Sequence, residues 1–153
     1  MRKAAKNPKA RMPIGWCEWA GFPDFGDFRI KGKIDTGAKT SALHAFRIRE
    51  IVEDGEKFVT FFLHPEQRRK RPEIACKAKL IAMRDVKSSN GQVERRYVIR
   101  TRLQLGSLCR KVDVTLTNRD EMGFRLLVGR SSLKARFAVY PDQPFLLGGR
   151  LET

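Results

Sequence analysis

Lys33-Ile34-Asp35-Thr36-Gly37-Ala38-Lys39-Thr40-Ser41-Ala42-Leu43-His44 is the stretch on which the reading of this chain turns. An apolar strand ending at Ile34 delivers one carboxylate, Asp35, into a tight turn. Thr36 can hydrogen-bond backbone, and Gly37 lets an amide approach the carboxylate closely. A second apolar segment leaves over residues 42–52. Such a turn presents an acid at the base of a cleft, with its position fixed by the sheet. Asp-Thr-Gly is also ordinary hairpin turn chemistry, so the motif alone names no reaction.

Working outward, the chain reads as short strands. Period-two alternation or apolar runs predict strands over residues 14–20, 28–34, 42–52, 57–63, 74–86, 93–105, 109–117, 126–128, 137–140 and 144–147. Asp54-Gly55 and Asn90-Gly91 carry the hairpin-turn signature. One short helix is expected over 131–135, after Gly129. Regular strand spacing with almost no helix predicts an all-β barrel or sandwich. Residues 14–153 are expected to form a single domain behind a disordered basic tail, residues 1–13.

Composition bounds the function. The chain has 153 residues and a net charge of +15, more than solubility needs, and a field of that sign attracts anionic partners. Residues 68–71 form a run of four basic side chains, a candidate anion contact. No apolar run is long enough to span a membrane, and the basic N-terminus lacks the apolar core of a signal peptide. A cytoplasmic location is the expectation. Cys17, Cys76 and Cys109 are irregularly spaced, which fits free thiols in a reducing compartment.

Other chemistries find little support. Gly32 to Thr40 approaches a phosphate loop, but Ala38 stands where Lys must follow the second glycine, and no long helix follows. His44 and His64 are too isolated in sequence to make metal-ligand spacing with a cysteine. No nucleophile signature surrounds any Ser or Cys. No metal or cofactor is therefore expected.

Taken together, Ile34-Asp-Thr-Gly-Ala38, the Asn90-Gly91 hairpin and Leu126-Leu-Val-Gly-Arg130 ahead of one short helix resemble the retropepsin-like aspartic proteases. Ile14-Gly-Trp16, Glu18-Trp19, residues 34–44, Ser89-Asn-Gly91 with Arg96, Leu116-Thr-Asn-Arg119 with Met122, and Leu127–Arg130 resemble more narrowly a bacterial branch of that fold, whose label also mentions ATP and zinc. The resemblance covers about residues 14–147. It implies a closed retropepsin-like barrel with one short C-terminal helix, and an aspartic peptidase in which Asp35, Thr36 and Gly37 form the catalytic loop. It further implies that Ala38 and the hairpin tip Ser88, Ser89, Asn90 and Gly91 hold substrate. Arg68 and Arg69, in a basic loop that departs from the family pattern, are further candidate contacts by their charge. Gly129 and Arg130 would support the loop. Viral retropepsins follow Asp-Thr-Gly-Ala with an acid that pairs with the helix arginine. Here Lys39 follows, so Arg130 needs another partner, either Glu18 or a backbone carbonyl.

One Asp-Thr-Gly per chain implies a homodimer sharing two carboxylates, with residues 14–20 and 144–147 as the expected contacts. Relatives of this branch often accompany a ligase that adds glutamates to a ribosomal protein. An acidic or glutamate-rich peptide substrate would suit that association and the charge, with the ribosomal protein or the ligase as a partner. Two alternatives stand beside this reading: a non-catalytic basic module docking on ribosome, RNA or an acidic protein, and a zinc hydrolase using His44 and His64.

Overall fold

Alternating burial makes most of this chain strand. In the segment Glu56–Leu63, for example, Val59, Phe61 and Leu63 turn inward and Phe58, Thr60 and Phe62 outward. The structure is a computed structural model describing residues 10–66, 71–88, 90–118 and 123–148. Its elements are β1 (Met12–Gly15), β2 (Cys17–Gly21), β3 (Arg29–Ile34), β4 (Ser41–His44), β5 (Phe46–Glu53) and β6 (Glu56–Leu63). They continue with β7 (Ile74–Lys87), β8 (Val93–Leu105), β9 (Leu108–Thr117), β10 (Leu126–Val128), α1 (Arg130–Leu133) and β11 (Phe137–Tyr140).

The main sheet runs β2-β3-β10-β4-β9-β8-β7-β6-β5, and β2 also pairs with β8. That second pairing closes β2, β3, β10, β4, β9 and β8 into a six-stranded barrel, as the resemblance implied. β8 pairs with β9 along one edge and is long enough to serve two partners along the other. Residues 93–99 face β7, while Gln104 and Leu105 close against Gly21 and Ala20. Strands β7, β6 and β5 extend the sheet beyond the barrel wall. The barrel is filled by Phe22, Ile30, Leu43, Ile99, Leu103, Leu105, Leu116 and Leu126, each 2% exposed or less. Burial of that kind contributes about 1.5–3 kcal/mol per large side chain.

Several expected boundaries move for identifiable reasons. The expected strand 42–52 is two strands, because the Ala45 amide donates to the Thr117 carbonyl (2.9 Å) and the chain passes from the barrel to the outer sheet there. The expected strand 14–20 breaks at Trp16, whose amide donates to Gln143 while its carbonyl accepts from Ile34. β1 instead pairs in parallel with β11, starting at Met12. The helix spans Arg130–Leu133 rather than 131–135, and it ends before Ala135, which adopts a left-handed φ of 64°.

Residues 144–147 form no strand. Pro144 has no amide to donate, and the amides of Leu146 and Leu147 turn to the Glu18 carboxylate, at 2.9 and 3.1 Å. Glu18 is fully buried and also accepts from the Gly15 amide, at 2.6 Å. It thus ties β1, β2 and the C-terminal segment together. Trp19 stacks on Phe145 beside it, with centroids 5.6 Å apart.

All three cysteines are free; Cys17 and Cys76 are buried and Cys109 is exposed. Burial pushes the Cys76 thiol up to about 12 and raises that of Cys17. Since the thiolate is the reactive form, a disulfide reagent at neutral pH should label one thiol per native chain within minutes and all three only after denaturation. Rapid native labelling of Cys76 would contradict this packing.

Candidate active site

The carboxylate of Asp35 is set by two parallel strands. β3 and β10 lie in register, Leu126 opposite Gly32 and Val128 opposite Ile34. Immediately past that pairing the Asp35 amide donates to the Val128 carbonyl, at 2.9 Å. The chain then turns: the Ala38 amide donates to the Asp35 carbonyl (3.3 Å), and the Gly37 amide donates to Asp35 Oδ1 (3.0 Å). That hydrogen bond orients the carboxylate through one of its oxygens.

The loop is braced from behind by the Gly129–Arg130 segment. Arg130 Nη1 donates to the Thr36 carbonyl at 2.9 Å, so the helix arginine uses a backbone carbonyl and not Glu18. The amides of Arg130 and Ser131 donate to the carbonyls of Ala38 and Lys39, at 2.8 and 2.9 Å. Beneath them Ser41 Oγ lies 2.7 Å from Ser132 Oγ and accepts from the Gly129 amide at 3.0 Å. These two serines are fully buried. Neither stood out in the sequence, because serines in short polar runs read as turn residues.

Gly129 is required by close approach. A Cβ there would sit 2.6 Å from the Thr40 carbonyl carbon and 2.8 Å from its oxygen. Both are backbone atoms and cannot rotate away. Gly129→Ala should therefore cost roughly 1–3 kcal/mol, read as a lowered urea midpoint, with the Asp35 loop displaced. An unchanged midpoint would mean that the two segments are not packed this way.

Asp35 opens on a cleft of about 660 Å³, lined also by Gly37, Ala38 and Ser88. Across the cleft, β7 and β8 form a long hairpin. Its tip is a tight turn: the Gly91 amide donates to the Ser88 carbonyl at 2.9 Å, and Gly91 has a φ of 85°. Ser88 Oγ bonds Asn90 Oδ1, which also accepts from the Gln92 amide at 3.1 Å. Arg84 reaches from this hairpin to Thr40 Oγ1, at 3.0 Å, and so bridges hairpin and loop.

Of the expected site residues, Asp35, Gly37, Ala38 and Ser88 meet in one cleft. Thr36 braces through its carbonyl. Asn90 and Gly91 shape the exposed hairpin tip and do not line the cleft. Ser89, Arg68 and Arg69 lie outside the described residues. Sequence reasoning missed the cationic lining: Lys39, Arg84, Lys87, Arg96 and Arg125 face the cleft, against the carboxylates of Asp35 and Asp85. Arg96 is oriented from the side, its Nε donating to Glu94 Oε1 at 3.3 Å, and that same oxygen accepts from Thr117 Oγ1 at 3.0 Å. The sequence carries two traces of it, the place of Arg96 in the family resemblance and the alternation along residues 93–105, which puts residues 94 and 96 on one face.

His44 and His64 do come together, as stacked rings with centroids 6.1 Å apart. Among the described residues, no three His, Cys, Asp or Glu side chains gather as a metal cluster. No helix among them is long and apolar enough to cross a membrane.

Comparison with known proteins places this geometry. A family model described as RimB-like, "Retropepsin-like aspartic endopeptidase RimB", matches residues 13–148. A "Probable alpha-L-glutamate ligase" from Shewanella halifaxensis is 45% identical over 135 residues, 88% of this chain and 30% of the relative. A protein of the same name from Desulfotalea psychrophila is 41% identical, over 91% of this chain and 30% of its own length. The chain thus spans less than a third of these relatives. The crystal structure of Lpg0085, a protein with unknown function (DUF785) from Legionella pneumophila, superposes with a TM-score of 0.76 at 28% identity. That match covers 90% of this chain and 99% of the other.

Proposed function

This chain belongs to the RimB-like family of retropepsin-like aspartic endopeptidases, and from that premise we propose that it is an aspartic peptidase working as a homodimer on acidic peptides. The observation that carries the proposal is Asp35: one carboxylate, oriented by the Gly37 amide, facing a cleft beneath a glycine-tipped hairpin. A single carboxylate cannot act as base and acid in the same step. Two of them about 3 Å apart share one proton, because both cannot ionise at that distance. The ionised member takes a proton from water as it attacks the peptide carbonyl. The protonated member donates to the carbonyl oxygen. As the tetrahedral species collapses, the first carboxyl passes its proton to the leaving nitrogen and the second takes one back from a hydroxyl of that species, which restores the singly protonated pair. Asp35 from a second copy supplies the other carboxylate.

The surface favours such a pairing. Met12, Trp16, Tyr140 and Leu146, all from the terminal segments, are large apolar side chains between 37% and 42% exposed. The Trp16 ring meets Phe124, a cleft residue, edge-on with centroids 6.0 Å apart. A second copy covering these side chains would lie beside the cleft. Trp16→Glu should weaken the dimer at least about tenfold, as loss of an aromatic anchor does, read as a shift toward the monomer mass in light scattering. A dimer of unchanged affinity would place the contact elsewhere.

Substrate class follows from the lining. Five cationic side chains around one cleft favour carboxylates in the substrate, with Arg96 and Arg125 suited to two-pronged hydrogen bonding. The relatives' printed name supports the same choice, and a chain that carries or makes α-linked glutamates is the partner we infer. The test is incubation with an acidic and a neutral peptide of equal length, followed by mass spectrometry. Shortening of the acidic peptide is expected. Binding without shortening, retained in Asp35→Asn, would instead favour a non-catalytic module.

A further inference from the structure

A stack of rings leads out of the Asp35 cleft. His44 lines the cleft and stacks on His64, with 6.1 Å between centroids and 20° between planes. His64 stacks on Phe46 at 4.1 Å, and Phe46 meets Phe62 at 5.7 Å. The Arg47 guanidinium covers both phenylalanines, at 5.6 and 5.4 Å. Exposure rises along the row: His44 is buried, His64, Phe46 and Phe62 are half-buried, and Arg47 is exposed.

At the far end, on the outer face of β5, β6 and β7, lies a second hollow of about 580 Å³. Arg47, Arg49 and Lys77 supply its charge, and among the described residues no carboxylate lines it. Glu73 does reach Arg47, at 3.7 Å, and Glu53 bonds Lys77. Both pairs are solvent-exposed and worth at most about 1 kcal/mol, so an arriving anion can replace either carboxylate at little cost.

We propose that this hollow is an exosite for the distal part of an acidic polypeptide whose proximal part occupies the cleft. The inference rests on the acidic-substrate reading above and adds a second point of attachment to it. The ring-to-ring steps along the row span a distance that about five residues of extended chain would cover. Beyond them, Arg47 and Arg49 offer planar forks matched to carboxylates. Single-stranded nucleic acid is also anionic, but it binds such platforms by stacking bases on open ring faces. Here Arg47 and His64 already cover Phe46, and Arg47 covers Phe62. What the hollow offers a ligand is cationic groups more than bare rings, and that favours carboxylates.

The test uses the Asp35→Asn chain, so that binding is read without turnover, and oligoglutamate peptides of about four and about twelve residues. Fluorescence anisotropy at fixed salt should show the longer peptide binding about a hundredfold tighter, the gain expected of a second linked contact and well above the gain that its extra binding registers alone would give. Arg47→Ala with Arg49→Ala and Lys77→Ala, or Arg49→Glu alone, should remove that advantage and leave the short-peptide Kd unchanged. The short peptide thus reports that the cleft is intact. Equal binding of the two peptides, or equal weakening of both by the variants, overturns the exosite and leaves the acidic-substrate reading standing. Absence of binding by either peptide overturns that reading, and the exosite with it. A single-stranded RNA oligomer that loses affinity in the variants while the long peptide does not would assign the hollow to nucleic acid instead.

Discussion

Asp35→Asn should reduce cleavage of an acidic peptide by about 10⁴-fold or more, in line with removal of an essential catalytic group, while the thermal midpoint moves by only a few degrees. The physical reason is that amides neither accept a proton from water nor share one across the dyad. The fold has little stake in the charge. Asn retains a carbonyl oxygen that can accept from the Gly37 amide, now 3.0 Å from Oδ1, and the backbone bonds of Asp35 to Val128 and Ala38 do not involve the side chain. The measurement is the initial cleavage rate alongside a circular-dichroism melt of the same preparation. Residual activity within tenfold of the wild type would remove Asp35 from the chemistry.

Glu18→Ala should have the largest effect on stability. Its buried carboxylate accepts from the amides of Gly15, Leu146 and Leu147. Truncation leaves three donors without an acceptor in a site that is 0% exposed at Glu18. An unsatisfied buried donor costs about 1–3 kcal/mol. Allowing for rearrangement and water entry, a loss of about 3–5 kcal/mol is expected, or roughly 10–15 °C in thermal midpoint for a domain of this size. Glu18→Gln keeps one acceptor oxygen but turns an NH₂ group toward amide donors, so it should fall between the two. The C-terminal segment should also become protease-sensitive in Glu18→Ala, because that carboxylate is what holds Leu146 and Leu147. A midpoint within a degree or two of wild type would mean that the segment is held by something else.

Much of this molecule was legible in the chain itself, and the parts that were not share a cause. Local signals carried well. The Asp54-Gly55 and Asn90-Gly91 turns, the alternation of residues 57–63 and 93–105, and the apolar run before Gly129 each depend on neighbours within a few positions. All appear as β6, β8, their turns and β10. The Asp35 turn was legible for the same reason, since Asp35, Gly37 and Ala38 interact within four residues of one another.

Features made by distant segments were not legible. Residues 144–147 read as a short apolar strand, yet the amides of Leu146 and Leu147 are claimed by Glu18, more than a hundred positions away. The strand break at Ala45 depends on a carbonyl of β9. The cationic lining is drawn from Lys39, from Arg84 and Lys87 on one hairpin strand, from Arg96 on the other, and from Arg125. No window of sequence contains them together. The basic run at residues 68–71 drew attention because it is contiguous, and its Arg68 and Arg69 lie outside the described residues. The buried Ser41–Ser132 pair behind the Asp35 loop joins residues 91 positions apart. The partner of Arg130 was narrowed to two possibilities, and only folding distinguishes the Thr36 carbonyl from Glu18.

The central claim is that two copies of Asp35 form one catalytic centre, and subunit mixing tests it most directly. Wild-type and Asp35→Asn chains would be equilibrated at a constant total concentration, with their proportion varied, and the cleavage rate of an acidic peptide measured at each ratio. A shared dyad makes every mixed dimer inactive. Activity should then follow the square of the wild-type fraction, about a quarter of the full rate at equal proportions. A rate falling in direct proportion to the wild-type fraction would show that each chain works with its own Asp35 alone, contradicting the shared centre.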